Sequence, residues 1–248
     1  MSERKHISLR LATWNIHSAI GADGYHDMER IVAVLAEIDA DVVGLQEVGW
    51  HRRTHHRIDQ FAYLREHTGY TVVDCLARDP LRAQFGNALL TRLPLESSRW
   101  IDLKIPGHAP RAGLVGDLQH EAARLQVTVL HLGLTVWERE RQTRRLVEAL
   151  SRDDAARKED PDAGPPPSAL LGDFNMLRRR TRASAILAQR FPTCVRMPTY
   201  PVRSPRLSLD RIYLSPHWEV VDARVVDRGL ALEASDHLPL VAELRLAV

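Results

Sequence analysis

The chain has 248 residues, 44% of them apolar and 27% charged, with a formal net charge of +2. This balance belongs to globular proteins and excludes a disordered polymer; its mild basicity allows an anionic partner without demanding one. No apolar run approaches the roughly 18 residues of a membrane span. Two distant cysteines, Cys75 and Cys194, form no C-x-x-C pair, which excludes a thiolate zinc site and predicts two reduced thiols.

The N-terminus has no apolar leader core and enters a strand pattern directly, so a cytoplasmic location is the expectation. LRLATWN (9–15) reads as a strand, and Met28, Ile31, Val32, Leu35 and Ile38 recur at helical spacing within 27–38. DVVGLQEV (41–48) is a second strand. Residues 57–67 read as helix, and 70–77 and 87–93 as extended. GLVGDLQH (113–120) and RLQVTVLHL (124–132) flank a short polar turn, a hairpin pattern. Residues 137–153 form a charged helix. The segment 153–168, with charges, Gly and a proline run, predicts a surface loop inside one continuous domain spanning 1–248. ALLGDF, a helix at 181–190, and strands at 207–215, 218–226 and 237–247 complete the chain. Many strands with links too short for helical crossovers argue for a largely antiparallel α/β sandwich.

Polar residues recur at the C-terminal ends of apolar runs. RLATWN ends on Asn15, VVGLQE on Glu47 and ALLGD on Asp173, with Asn175 two residues later; QVTVLH reaches His131. SLD presents Asp210, and Asp236 and His237 precede the last strand. Strand ends that share a sheet edge place such residues in one cleft. Three carboxylates and two amides (Glu47, Asp173, Asp236, Asn15, Asn175) are hard oxygen donors suited to Mg²⁺ or Mn²⁺, and to Ca²⁺. With two imidazoles they form equipment for hydrolysing a phosphate ester. Taken singly, each has an ordinary reading. Glu at a strand end is commonly solvated, D-x-N forms turns, and His131 is in phase with Leu125, Val127 and Val129 as a core residue would be.

Other motifs fail on inspection. HEAAR (120–124) lacks the second histidine of a zinc helix, DFNMLRRR lacks the glycine and late glutamate of a calcium loop, and no G-x-S-x-G, P-loop or G-x-G-x-x-G occurs.

In chain order, TWNIH, LQEV, GNALLTR, HLGL, GDFN, LDRIYLS and SDHLPL together resemble the endonuclease/exonuclease/phosphatase superfamily, and among its members the small bacterial ones most. The resemblance runs from about residue 9 to 245. It implies a deoxyribonuclease I-like, four-layer α/β/β/α sandwich of two mostly antiparallel sheets, and Mg²⁺-dependent hydrolysis with one or two ions, Mn²⁺ being an alternative. Carried over by residue, Asn15, Glu47 and Asp236 match metal-site positions. Asp173 matches the residue that orients or deprotonates water, and Asp210 the acid that holds the catalytic His237. His131 matches a phosphate-contacting position, and Asn175 a phosphate-positioning one. Arg111 is a less specific phosphate or structural match.

The substrate is less legible. HRRTHHR (51–57) follows the Glu47 strand, and RRRTR (178–182), with Arg178 and Arg179, follows Asn175. Both suit a polyanion, DNA or RNA, or an anionic lipid head group. Few aromatics interleave with the arginines, which weakens a single-strand stacking groove, and no apolar hairpin suggests membrane insertion. The expectation is a monomeric phosphodiesterase with nucleic acid slightly favoured. The alternative is action on a phospholipid head group or small ester, and a non-catalytic binding module is the remote one.

Overall fold

Two βαβ units form the centre of the fold. In the first, β1 (His6–Asn15) and β2 (Val42–His51) run parallel, with Leu11 opposite Val42 and Asn15 opposite Gln46. Helix α1 (Met28–Ile38) links them. It starts where the Asp27 carboxylate accepts from the Glu29 and Arg30 amides, the side-chain cap that an exposed helix start needs. In the second, β7 (Ala123–His131) and β8 (Ser168–Asp173) run parallel with His131 opposite Asp173, linked through α3 (Val136–Ala156). Where they pair, these four strands are buried on both faces, as strands covered on both sides are, while the first half of β1 alternates.

Antiparallel strands extend each unit into a six-stranded sheet. The first sheet adds β12 (Leu240–Ala247) and β11 (Trp218–Val225) on one side of the parallel pair, and β4 (Ala83–Thr91) and β3 (Thr71–Asp79) on the other. The second adds β6 (Ala112–His120) and β5 (Leu95–Asp102), then β10 (Asp210–Leu214) and β9 (Thr193–Val195). The computed structural model describes residues 6–51, 58–79, 83–156 and 164–247.

Three apolar layers account for the sandwich. On the outer face of the first sheet, α1 and α2 (Gln60–His67) set Ile31, Leu35 and Leu64 against Trp14, Val43 and Leu45. Between the sheets, Leu11, Val42 and Leu89 meet Leu114, Val129 and Leu171. On the far face, Leu146 and Leu150 of α3 and Leu187 of α4 (Arg182–Ala188) cover Val115, Leu130 and Leu170. The result is the expected α/β/β/α arrangement. Two glycines set close approaches. A Cβ on Gly44 would lie 2.9 Å from the Leu171 Cβ of the facing sheet, and one on Gly172 would lie 2.1 Å from the Leu130 carbonyl oxygen.

The differences from the sequence reading have physical causes. Strand β5 has mostly exposed side chains at a sheet edge, so it lacks an apolar signal. Strand β9 is three residues long, and the short helix α5 (Ala231–Ala234) is four. Helix α3 continues through Ala156, so residues 153–156 of the segment expected as loop are helical. Cys75 and Cys194 are free thiols on β3 and β9, and burial pushes Cys75 up to about 12. Among the described residues no helix is long and apolar enough to cross a membrane.

Candidate active site

Asn15, His131 and Asp173 are the last residues of their strands; Glu47, expected at a strand end, lies inside β2, which continues through His51. At Glu47 the β2–β4 register shifts between Leu45 and Val48, and its backbone takes φ +56°. Such a bulge re-aims one side chain out of the sheet's alternation. The Asn15 amide then joins the two sheets. Its Nδ2 donates to Glu47 Oε1 at 3.0 Å and to Asp173 Oδ2 at 3.2 Å. Its Oδ1 accepts from the His17 amide at 3.0 Å.

The chain leaves Asn15 through a left-handed 3-10 turn, with φ of +47°, +54° and +58° at His17, Ser18 and Ala19. No glycine relieves it, so each residue carries strain of about 1–2 kcal/mol. Neighbours hold it in place: Gln60 Nε2 donates to the Ser18 carbonyl at 2.8 Å, and the Asp27 amide to that of Ala19 at 2.9 Å.

Asp173 is the meeting point. Its Oδ1 accepts from the Asn175 amide at 2.9 Å. Around its Oδ2 stand the Asn15 amide, His131 Nε2 at 3.6 Å and His237 Nε2 at 3.9 Å. Asn175 has φ +51° and turns its own amide inward, donating to the Leu132 carbonyl at 2.9 Å and lying 3.1 Å from His131 Nε2. Since the Leu132 carbonyl fixes that NH₂ group as the donor, His131 Nε2 is the acceptor and the ring proton sits on Nδ1. That Nδ1 is buried without a hydrogen-bond partner; Glu47 Oε1, at 3.9 Å, is beyond bonding range. Burial, then the charge of Arg111, pushes His131 down to about 3, so the ring is neutral.

His237 has the opposite character. Its Nδ1 lies 2.8 Å from Asp210 Oδ2, which also accepts from the Thr199 hydroxyl at 2.5 Å. Burial pulls His237 down, but Asp210, helped by Asp173 and Asp236, reverses this and raises it to about 10. The Tyr200 ring packs against the imidazole at 4.7 Å. The Ser235 hydroxyl donates to the Asn15 carbonyl at 2.7 Å, and Trp14 Nε1 donates to the His237 carbonyl at 2.9 Å, tying this segment to the end of β1. Asp236 stands at the rim, its Oδ1 3.8 Å from His17 Nδ1.

The cleft therefore gathers Asn15, Glu47, His131, Asp173, Asn175, Asp210 and His237, with Asp236 beside them. Half-buried Arg111 borders His131 across a cavity of about 10 Å³ that Cys75 and Asn87 also line. Burial lowers the Arg111 guanidinium against the pull of Glu47 and Asp173. Arg178 and Arg179 lie exposed in the bend after Asn175. Of the other basic segment, residues 52–57 lie outside those described. Sequence reasoning gave no role to Thr199, Tyr200, His17 or Ser235, although His17 closes TWNIH and Ser235 opens S-D-H.

The donor set fits a hard divalent cation. It is rich in carboxylate and amide oxygen, holds no thiolate, and leaves Asp210 Oδ1 buried without a hydrogen-bond partner. Ligand atoms of Asp173, Asp210 and His237 lie within 4.8 Å of one another, close enough to hold an ion. Yet a protonated imidazole has no lone pair to offer, and His237 is held in that form. Glu47 and the more open Asp236 have no such conflict, while Asn15 offers only the Oδ1 that already accepts from the His17 amide, its NH₂ being turned to Glu47 and Asp173.

Comparisons with known proteins give the family and the fold. The model of the Endonuclease/Exonuclease/phosphatase family matches residues 12–237. The uncharacterised protein YbhP of Escherichia coli (strain K12) is 28% identical over 273 residues, spanning 98% of this chain and 99% of its own. The endonuclease/exonuclease/phosphatase structure from Beutenbergia cavernae is similar with a TM-score of 0.76 and 25% identity, over 97% of this chain and 72% of that one. A mannosyl-6-phosphatase of Bacteroides thetaiotaomicron (TM-score 0.71, 18% identity, 95% and 99% covered) shares the fold. So does D. rerio TDP2 complexed with a single-strand DNA product (0.66, 18%, 96% and 98%).

Proposed function

The chain belongs to the endonuclease/exonuclease/phosphatase family of phosphoester hydrolases, and from that premise we propose that it hydrolyses a phosphodiester with a divalent metal ion, by in-line attack of water. The observation that carries this reading is the convergence of the Asn15 amide and two imidazoles on Asp173 Oδ2. Phosphoryl transfer asks mainly for positioning and for donors aimed at developing negative charge. Asp173 orients the attacking water and takes its proton. Cationic His237, held by Asp210, gives a proton to the leaving oxygen. Neutral His131, buried between Glu47 and Asp173, forms the wall against which the phosphate is positioned. Asn175 is the positioning residue that keeps His131 in its Nδ1–H tautomer, rather than a direct phosphate ligand. Arg111 adds positive potential behind the phosphate.

Asn15, Glu47 and Asp236 would hold Mg²⁺ or Mn²⁺, which when bound supplies Lewis acidity to the phosphate oxygens. The exposed cations Arg178 and Arg179 fit either a polynucleotide or an anionic phospholipid. Exposed aliphatic side chains beside them favour the phospholipid.

The test is hydrolysis of bis(p-nitrophenyl) phosphate, plasmid DNA, RNA and phospholipid vesicles by purified protein with Mg²⁺, Mn²⁺ or EDTA. Activity on at least one diester should require the metal. The Asp173→Asn variant should lose about 10²–10⁴-fold in turnover with unchanged circular dichroism. A folded, fully active variant would refute the role given to Asp173. Hydrolysis of none of the substrates would leave a binding module as the better reading.

A further inference from the structure

Four large apolar side chains stand in water at the lip of the cleft. Leu134 is 72% exposed, Val136 and Trp137 follow it at the start of α3, and Leu177 is 68% exposed. They come from two adjoining loops. The Leu132 amide donates to the Asp173 carbonyl and the Asn175 side chain donates to that of Leu132, so the loops leaving β7 and β8 are stitched together at the active site.

Each loop is held from below by a buried guanidinium. Arg139 donates to the Gly133 and Leu134 carbonyls, at 3.2 and 2.5 Å. Arg211 donates to the Met176 and Arg178 carbonyls, at 2.6 and 3.1 Å. Hydrogen bonds from a buried charge are costly to break. The two loops are therefore fixed in shapes that present Leu134 and Leu177 outward, where they cannot fold down onto the core. Cations surround them: Arg178, Arg179, Arg180 and Arg182 are exposed, and Arg141 lies 4.6 Å over the Trp137 ring.

We propose that this lip seats the protein on an anionic phospholipid bilayer, with the cleft facing the head groups. Aliphatic side chains ringed by arginines, with one tryptophan, match the apolar-to-charged gradient of a bilayer surface. A single-stranded nucleic acid would use the arginines but leave Leu134, Val136 and Leu177 in water. It would also need an aromatic face, and Arg141 already covers one face of Trp137 while the His108 ring packs 5.7 Å away. The docking rests on the phosphoesterase reading only for what the cleft does once seated.

The experiment is co-sedimentation of the full chain with vesicles of phosphatidylcholine, alone or mixed with phosphatidylglycerol. Hydrolysis of soluble bis(p-nitrophenyl) phosphate is measured on the same preparations. The wild type should bind the mixed vesicles and not pure phosphatidylcholine, with a blue shift of tryptophan emission that Trp137→Leu removes. Leu134→Ser with Leu177→Ser should weaken vesicle binding by about tenfold or more and leave soluble-ester hydrolysis unchanged. Replacing Arg178, Arg179 and Arg180 by Ser should weaken binding and flatten its salt dependence. Absence of binding to the mixed vesicles would overturn the proposal, as would binding indifferent to the leucine pair. So would tight, leucine-dependent binding of a labelled single-stranded DNA without vesicle binding, which would make the lip a nucleic-acid surface. Vesicle binding without hydrolysis of any ester would instead count against the catalytic reading.

Discussion

The two parallel units deliver side chains to one cleft under opposite conditions. At the β1–β2 end the backbone is strained, with left-handed residues at 17–19 and again at Glu47. Glu47 there is partly open to water, 27% exposed, whereas Asn15 is buried. At the β7–β8 end His131 and Asp173 sit in register on regular strands, and Asp173 is only 3% exposed. In the proposed reaction, an ion that must arrive from solvent and shed water would be served by the first condition. Proton transfer and charge stabilisation, which gain from a low dielectric, would be served by the second.

Substitutions that treat the two ends differently can break this contrast. The largest expected effect is on turnover. Asp173→Asn should not be rescued by any concentration of Mg²⁺, whereas the loss in Glu47→Gln should be partly recovered as Mg²⁺ is raised. A metal titration of activity, paired with calorimetric metal binding, separates the two; equal rescue of both would dissolve the division of labour. Next is Gly172→Ala, whose new Cβ meets the Leu130 carbonyl at 2.1 Å. It should cost about 3 kcal/mol in urea denaturation and lower activity by parting His131 from Asp173.

Stability against pH gives a medium-sized contrast, measured without metal. The folded His131 value, about 3, lies below the ordinary 6.5. Its contribution is therefore complete above about 6.5 and drains away as pH falls from there toward 3. The folded His237 value is raised to about 10, so its contribution is complete below about 6.5 and is lost as pH rises through 10. Urea midpoints across pH should show His131→Gln flattening the acid side and His237→Gln the alkaline side. The reverse assignment would contradict a neutral His131 beside a cationic His237. The smallest effect compares two buried alanines. Ala169→Gly, on β8, should cost about 1 kcal/mol. Ala19→Gly should be close to neutral, because glycine relieves the left-handed strain there; equal losses would mean that the turn is unstrained.

Much of the fold and site was legible because β-strands that end in a cleft leave a simple trace, an apolar run closed by one polar residue. Asn15, His131 and Asp173 show it, while the strand of Glu47 runs on past it to His51. Asp210 and His237 were readable as a pair only through the resemblance carried by LDRIYLS and SDHLPL. What stayed hidden depends on backbone dihedrals and burial. Nothing in H-S-A announces a left-handed turn, since glycine and asparagine are absent. Nothing in D-F-N announces the φ of +51° that turns the Asn175 amide toward the Leu132 carbonyl. Thr199 sits in a stretch without periodicity. The basic segments also divided in a way composition does not show: Arg139 is buried under a loop, while Arg178 to Arg180 meet solvent.

The bond from Trp14 Nε1 to the His237 carbonyl gives the molecule an optical property. The indole is fully buried at the end of β1, and its hydrogen bond reaches the segment that carries His237. Its near-ultraviolet dichroism should thus register whether that segment is seated. The protein carries an intrinsic chromophore for the seating of its His237 segment, one that needs neither label nor substrate.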